Sequence, residues 1–496
     1  MGTRKSGQIM IGTFKDAFGW EGKKMKIKFG TSGWRAIMGD QFTFSNVKIV
    51  TQAIAEYLKK NGGRKVIVAR DTRFMTENYA QLVAEVLAAN GIKVLMPENP
   101  TPTPVVSYAI RHYKLDGGIN ITASHNPPEY CGIKFNPSDG SPAPTEVTSE
   151  IEKLIEKIDE RKIPLMNLRE ASSKDLFEII DPKPDYFKAL SELIDIERIK
   201  SAGLRVIADL LYGSSIGYLD DLCQTICSDL DVVHNYRNPY FGGGRPEPDE
   251  TRLSEFSSRI KNLNWDVLIS TDGDADRFGI LDNNGEFVKP NEIIALLAYH
   301  LYKNKGKIGP VARTIATSHA VDAVAHTFKQ KVLETPVGFK FLATVLMSEN
   351  AVIAGEESGG LSIANHVPEK DGILACLLVL EMIAYEKKSL SEIRKQFEKE
   401  YGKFNNTRID IDFQSDEEKK QFLDKFKNIE DYLVNLKIVD EDSVDGMRYF
   451  FDKDGSWLLV RPSGTEPIVR IYLESRDLQT LQTMLSAVRK ISRYAE

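Results

Sequence analysis

Asp266-Val267-Leu268-Ile269-Ser270-Thr271-Asp272-Gly273-Asp274-Ala275-Asp276-Arg277 decides how this chain folds and where its chemistry lies. Its first half is a short apolar run with the length and β-branched content of a buried strand. Its second half is a polar, glycine-bearing loop with carboxylates at alternate positions. The same pattern of strand running straight into a polar loop recurs on both sides. Gly118 to Ala123 leads into Ser124-His125-Asn126-Pro127, and Ala351 to Ala354 leads into Gly355-Glu356-Glu357-Ser358-Gly359-Gly360. Each of these strands is the third of a set. The earlier members are Lys65 to Ala69 and Lys93 to Met96, Leu204 to Asp209 and Asp231 to His234, and Val311 to Thr317 and Lys331 to Thr335, with helical stretches between. Strands alternating with helices predict α/β units with mixed, mainly parallel sheets, and such sheets bind ligands beyond the carboxyl ends of their strands. Three loops are thereby expected to wall one central cleft.

Near Tyr401-Gly402-Lys403-Phe404 the pattern changes. Thr407 to Asp412 alternates polar and apolar residues, which predicts an antiparallel strand with one solvated face. A helix rich in Glu, Lys and Phe follows, then a strand from Ser456 to Val460, the loop Arg461-Pro462-Ser463-Gly464-Thr465-Glu466-Pro467, a strand through Glu474, and a last helix. The expected organisation is three related α/β domains over residues 1–184, 185–290 and 291–402, and an α+β domain with a small antiparallel sheet over 403–496.

Composition narrows the function classes. The 496 residues are 42% hydrophobic and 27% charged, ordinary for a globular protein of about three domains. A net charge of -6 without a Lys/Arg block argues against a nucleic-acid partner or an anionic membrane surface. No apolar run approaches a membrane span, and residues 1 to 28 lack the pattern of a signal peptide, so a cytoplasmic location is expected. Four irregularly spaced cysteines, Cys131, Cys223, Cys227 and Cys376, read as reduced core thiols.

Each motif has a plainer alternative. Asp272, Asp274 and Asp276 form an oxygen-rich set suited to a hard divalent cation such as Mg²⁺. A solvated turn is the alternative, but Asp282 and Asn283 already supply a turn just downstream, and the EF-hand glycine and terminal glutamate are missing. Ser124, beside Asn and Pro, would by itself read as a turn serine. The Arg461 to Pro467 loop carries a guanidinium and two hydroxyls able to bind a phosphate dianion, or else is an Arg-containing hairpin turn. Glu356 and Ser358 share one side of an extended stretch, a spacing that suits two neighbouring sugar hydroxyls; a glycine-rich strand-to-helix turn is the alternative. Glu369-Lys370-Asp371-Gly372 also reads as a charged turn, and Tyr240 to Pro246 as a flexible connection.

Taken together, Gly30-Thr31-Ser32-Gly33-Trp34-Arg35, Thr122 to Pro128, Asp272 to Arg277, Gly355 to Gly360 and Arg461 to Pro467 resemble, in order and across almost the whole chain, the signatures of the α-D-phosphohexomutases. Within that superfamily the chain is most similar to the phosphoglucomutase/phosphomannomutase family. The resemblance implies an Mg²⁺-dependent intramolecular phosphotransferase. Ser124 would carry the phosphoryl group, and Asp272, Asp274 and Asp276 would hold Mg²⁺ together with a Ser124 phosphate oxygen. Glu356 and Ser358 would bind sugar hydroxyls, with Thr335 and Gly338 nearby in the segment Glu334 to Lys340. Arg461, Ser463, Gly464 and Thr465 would clamp the non-reacting phosphate. Arg35, His125, Lys134, Arg277 and Lys370 would surround the reacting end, Lys134 and Lys370 at family positions proposed for proton transfer or charge stabilisation. The partner would be a small sugar phosphate, with glucose 1,6-bisphosphate as activator and intermediate, and the protein a monomer or homodimer.

For the sugar, Glu356-Glu357-Ser358-Gly359-Gly360 is similar to glucose-type phosphoglucomutases, whereas dual-specificity and glucosamine mutases usually carry Met or Gln at the position of Glu357 and His at that of Gly360. Glu334-Thr335-Pro336-Val337-Gly338-Phe339-Lys340 resembles the glucose-type segment with Val and Phe replacing Thr and Trp. The expected activity is interconversion of glucose 1-phosphate and glucose 6-phosphate. Alternatives are a mannose or dual-specificity mutase, a phosphopentomutase, a glucose 1,6-bisphosphate synthase, and a silent phosphoprotein scaffold.

Overall fold

Val267–Thr271 forms a strand buried at every residue, because it lies in the interior of a sheet with helices over both faces. The computed structural model describes residues 27–30, 33–433, 435–464 and 468–493, and this strand belongs to the second of its four sheets. The first sheet orders its strands Trp34–Ile37, Tyr130–Pro137, Gly117–Ile121, Lys65–Arg70, Lys93–Pro97 and Phe177–Ile180. The second runs Phe287–Val288, Phe278–Leu281, Val267–Thr271, Arg205–Asp209, Asp229–Val233, and the third Val332–Thr335, Val311–Thr314, Ile353–Glu356, Gly360–Ile363.

These three sheets share one plan. Parallel strands form one side, and an antiparallel strand returns immediately after each functional loop: Tyr130–Pro137 against Gly117–Ile121, Phe278–Leu281 against Val267–Thr271, and Gly360–Ile363 against Ile353–Glu356. The return strands carry no alternation that would announce them, since both faces are covered. Gly355 and Glu356 therefore close a strand. The glycine-rich stretch is a strand-to-strand hairpin, Glu356 pairing with Gly360, where a strand-to-helix turn was the plainer expectation.

The fourth sheet is wholly antiparallel, ordered Asn405–Asp412, Ile468–Ser475, Trp457–Pro462, Met447–Phe451, Ile438–Asp442, and packs against the helices Asp416–Phe426 and Leu478–Arg493. Among the described residues no helix is long and apolar enough to cross a membrane, and the four cysteines are free thiols.

One hydrophobic core runs continuously beneath the second and third sheets. At its centre is the helix Gly372–Glu386, buried from Gly372 through Ala384 because GILACLLVLEMIA offers no polar face. Asp371 caps it by accepting from the Leu374 amide at 2.9 Å, and also accepts from Tyr186 and His366, both at 2.7 Å. That cap fixes the preceding Glu369-Lys370 turn. The fourth sheet meets the third through Ile315, Ala316, Trp457, Leu459 and Tyr472. A polar rim surrounds this patch: Arg448 donates to both Glu334 oxygens at 2.8 and 2.7 Å, and the His319 amide donates to Glu474 at 2.9 Å.

Candidate active site

Ser124 lies three residues beyond the strand Gly117–Ile121 with φ 51°, a left-handed conformation that non-glycine residues adopt only when their surroundings hold them there. Its amide donates to Thr122 Oγ1 at 2.9 Å, and Thr122 in turn donates to Asp71 at 2.6 Å. The Ser124 hydroxyl is buried and donates to Asp272 Oδ2 at 2.8 Å. His125 Nδ1 stands 3.4 Å from the same hydroxyl oxygen. Fold and loop together thus bring the serine onto the acidic loop from 148 residues away.

Asp272, Asp274 and Asp276 are fully buried, and one carboxylate oxygen of each lies within 4.8 Å of the others. Asp272 Oδ1 accepts from the amides of Asp276 and Arg277 at 3.0 and 3.1 Å, which curls the loop around its own carboxylates. Thr103 donates to Asp274 Oδ2 at 2.5 Å. Asp274 Oδ1 and Asp276 Oδ1 are buried without a hydrogen-bond partner among the described residues. Two orphaned carboxylate oxygens in an all-oxygen donor set fit a hard divalent cation.

The counter-charges come from two lysines. Lys134 Nζ, from the return strand of the first sheet, lies 2.6 Å from Asp274 Oδ2 and 2.7 Å from Asp276 Oδ2, and Lys370 Nζ lies 3.1 Å from Asp276 Oδ2. Burial alone would pull the Lys134 ammonium down, but the two aspartates outweigh it and its pKa rises, so it stays charged. Burial pushes the Asp272 carboxyl well up, helped by Asp274 and Asp276. Asp276 moves down, because Lys134, Lys370 and Arg277 overcome its burial. His125 is held neutral: burial first, then Arg277 and Arg35, push it well below the usual imidazole range.

Arg35 donates to Asn126 Oδ1 at 2.7 Å, joining the first strand to the serine loop. Gly33 comes two residues earlier, with φ 102°. A Cβ there would stand 2.3 Å from the Ile133 carbonyl oxygen, so glycine is what lets this loop lie against the Lys134 strand. Arg277 pairs with Glu247 at 2.7 Å. The sugar-type loop is hydrogen-bonded directly to the acidic loop, the Phe278 amide donating to the Gly359 carbonyl at 3.1 Å. Ser358 donates to Glu356 Oε1 at 2.7 Å, so these two side chains do share one side. Glu357 turns instead toward Arg408 of the fourth sheet, 3.4 Å away. Gly360 lies under Lys370, whose stem a Cβ would overlap at 2.3 Å.

Arg461 donates to Asp445 Oδ2 at 2.8 Å, and the same oxygen accepts from the Val337 amide at 3.0 Å. One carboxylate thereby ties the Arg461 loop to the segment holding Thr335 and Gly338, where Gly338 (φ 129°) begins the helix Phe339–Ser348. Ser463 is buried, and a Cβ at Gly464 would meet no atom within 4 Å among the described residues beyond its chain neighbours. Thr465, like Thr31 and Ser32, lies outside the described residues.

Several participants were invisible as motifs. Arg73, Asp71, Thr103, Glu247 and Asp445 lie in unremarkable sequence and acquire their partners in the site across the fold. The segment Tyr240 to Pro246, expected as a flexible connection, is anchored: Phe241 is fully buried and the Pro246 carbonyl accepts from the Gly273 amide at 3.0 Å.

Four models of the phosphoglucomutase/phosphomannomutase family match the chain: α/β/α domain I over residues 26–162, domain II over 184–285, domain III over 289–401, and the C-terminal domain over 414–491. The chain belongs to the phosphoglucomutase/phosphomannomutase family. A phosphoglucomutase/phosphomannomutase of Thermococcus kodakarensis is 32% identical, covering 90% of this chain and 94% of that protein. Phosphoglucomutase 1 of Drosophila melanogaster is 31% identical over 95% and 93% of the two chains. The crystal structure of a candidate phosphomannomutase from Thermus thermophilus superposes with a TM-score of 0.82 at 30% identity, covering 95% of this chain and 99% of that one. Relatives of nearly equal identity carry names that differ in the sugar. As a phosphoglucomutase/phosphomannomutase family member the protein is a phosphohexomutase, an intramolecular phosphotransferase with an acidic site that fits a divalent metal.

Proposed function

We propose that this phosphohexomutase interconverts glucose 1-phosphate and glucose 6-phosphate through phosphorylated Ser124, with divisions between its domains near residues 184, 290 and 402. The observation that carries the reading is the 2.8 Å contact of the Ser124 hydroxyl with Asp272 inside a buried, partly orphaned carboxylate cluster. Asp272, Asp274 and Asp276 would hold Mg²⁺, which when bound supplies charge neutralisation for the Ser124 phosphate oxygens.

Phosphoryl transfer through a loose transition state asks the protein for position and charge more than for covalent chemistry. Here the bond from phosphorus to Ser124 Oγ breaks as one to a free sugar oxygen forms, and the proton of that sugar hydroxyl passes, by way of the groups at the reacting end, to Ser124 Oγ, which returns to a hydroxyl. The resulting glucose 1,6-bisphosphate turns round, and its other phosphoryl group returns to Ser124. His125, kept neutral by burial and the surrounding cations, offers its ring nitrogens as hydrogen-bonding groups beside Ser124 Oγ, while Lys134 and Lys370 stand at the positions for proton transfer or charge stabilisation and Arg277 adds positive charge. Glu356 and Ser358 take neighbouring sugar hydroxyls, and Arg461, Ser463, Gly464 and Thr465 clamp the idle phosphate in both orientations. Phosphate entering that clamp displaces Asp445 from Arg461 or shares the guanidinium with it, since Asp445 is held through Nε.

Glucose is favoured by Glu357 and Gly360. With Glu357 turned to Arg408 and no side chain at Gly360, the loop leaves Glu356 and Ser358 as its polar groups facing a ligand. The test is turnover of glucose 1-phosphate, mannose 1-phosphate and ribose 1-phosphate side by side, with Mg²⁺, a trace of glucose 1,6-bisphosphate, and Ser124→Ala as control. Glucose 1-phosphate should isomerise fastest and the control should be inactive but folded. Faster mannose or ribose turnover overturns the sugar assignment, and an active Ser124→Ala overturns the role of the serine.

A further inference from the structure

Arg73 is fully buried, and each of its five side-chain N–H donors is used. Nε donates to Asp71 at 3.1 Å, Nη1 to the carbonyls of Pro127 and Tyr130 at 2.7 and 3.0 Å, and Nη2 to the carbonyls of Ser124 and Asn126 at 2.6 and 2.7 Å. Four of the five acceptors are main-chain oxygens of the loop that presents Ser124. The guanidinium also lies over the Phe241 ring, 5.0 Å from its centroid. Phe241 comes from the second α/β unit, as does Arg237, which donates to the carbonyls of Thr72 and Arg73 at 3.1 and 3.0 Å.

We propose that Arg73 is a positioning residue for phosphoryl transfer: it clamps the Ser124 loop by four of its carbonyls and registers that loop against the unit carrying Asp272, Asp274 and Asp276. Four physical facts support this. Ser124 holds a left-handed φ; its own loop fixes its amide, on Thr122 Oγ1, and the hydrogen bond fixing its carbonyl belongs to Arg73. Carbonyls engaged by a cation are kept from turning toward a phosphate dianion, where their negative ends would repel it. A planar fork spans four acceptors in fixed directions, which a lysine ammonium does not, so Arg73→Lys preserves charge but loses the clamp. The Phe241 stack sets the distance between the two units, because the ring approaches the guanidinium face while its edges are committed to the loop.

The inference rests on Ser124 being the phosphoryl carrier, and the experiment separates the two. Arg73→Lys, Phe241→Leu and Ser124→Ala are compared with the parent by circular dichroism, thermal melting, kcat and KM for glucose 1-phosphate, and the rate of Ser124 phosphorylation by glucose 1,6-bisphosphate followed by mass spectrometry. Arg73→Lys should melt as a folded protein, lose about 100-fold in kcat with KM changed less than about threefold, and phosphorylate Ser124 correspondingly slowly, since a displacement of about 1 Å carries a cost of that order. Phe241→Leu should slow both by several-fold. A folded Arg73→Lys with parental kcat and phosphorylation rate overturns the proposal, as does a loss confined to KM. If Arg73→Lys does not fold, Phe241→Leu decides: a parental phosphorylation rate there overturns it. Turnover by Ser124→Ala would instead refute the serine's role and leave the geometry of Arg73 without this consequence.

Discussion

Gly360→Ala should slow catalysis through a residue ten positions away. Gly360 opens the return strand of the third sheet, and its φ is outside the left-handed region, so alanine meets no backbone strain there. The obstacle is space. The new Cβ would stand 2.3 Å from Cδ and 2.7 Å from Cγ of Lys370, against about 3.5–4.0 Å for carbon atoms in contact. The lysine stem must retreat by roughly 1 Å or more, and Lys370 is only 4% exposed, so its ammonium is drawn off Asp276, now 3.1 Å away. A displacement of that size at a reacting centre costs on the order of 100-fold in rate, or about 2.7 kcal/mol. Overpacking adds about 1–3 kcal/mol of destabilisation. The assay is kcat in a double-mutant cycle with Lys370→Ala. If alanine at 360 acts through the lysine, Gly360→Ala/Lys370→Ala is no slower than Lys370→Ala alone, and the two losses fail to add. Multiplicative losses, or a Gly360→Ala kcat within about threefold of the parent, would refute the reasoning.

Asp276→Asn should weaken Mg²⁺ binding by at least about tenfold in a calorimetric titration, because one negative charge and one carboxylate oxygen leave the cluster; unchanged affinity would place the metal elsewhere. His319 predicts acid lability. Burial, then Arg313, lowers its pKa from 6.5 to about 4, so below pH 6.5 the unfolded chain gains a proton that the folded one refuses. Its contribution to stability is full above pH 6.5 and declines as pH falls from 6.5 toward 4. The neighbouring Trp457, with ring centroids 5.5 Å apart, should report this by fluorescence, and His319→Gln should flatten the decline. Arg448→Met leaves Glu334 and Asp442 without their shared guanidinium and should loosen the fourth sheet from the third. Limited proteolysis near residue 402 should then accelerate several-fold, and parental resistance would show that the apolar patch around Trp457 suffices.

The acidic loop was legible because Asp272, Asp274 and Asp276 lie close together in the chain, and the spacing of carboxylates is a local property. The polar make-up of the Ser124, Glu356 to Gly360 and Arg461 loops is equally local, although the Glu356 to Gly360 stretch closes a hairpin and does not open a helix. The alternation of strands and helices, and the change to an antiparallel pattern after residue 402, were likewise local signals. The return strands Tyr130–Pro137, Phe278–Leu281 and Gly360–Ile363 were not, since a strand covered on both faces has no polar phase to betray it.

What only the tertiary structure decided is how those loops are held. Arg73 in Asp71-Thr72-Arg73 reads as any surface arginine until the fold aims four carbonyls at it. Asp445 is a turn aspartate until it meets Arg461 and the Val337 amide. Lys134 becomes a counter-ion only because its strand faces a loop 140 residues away. The residue types that perform chemistry are encoded by short-range pattern, whereas burial, partner and protonation arise from contacts across sheets, where electrostatics strengthens as water is excluded.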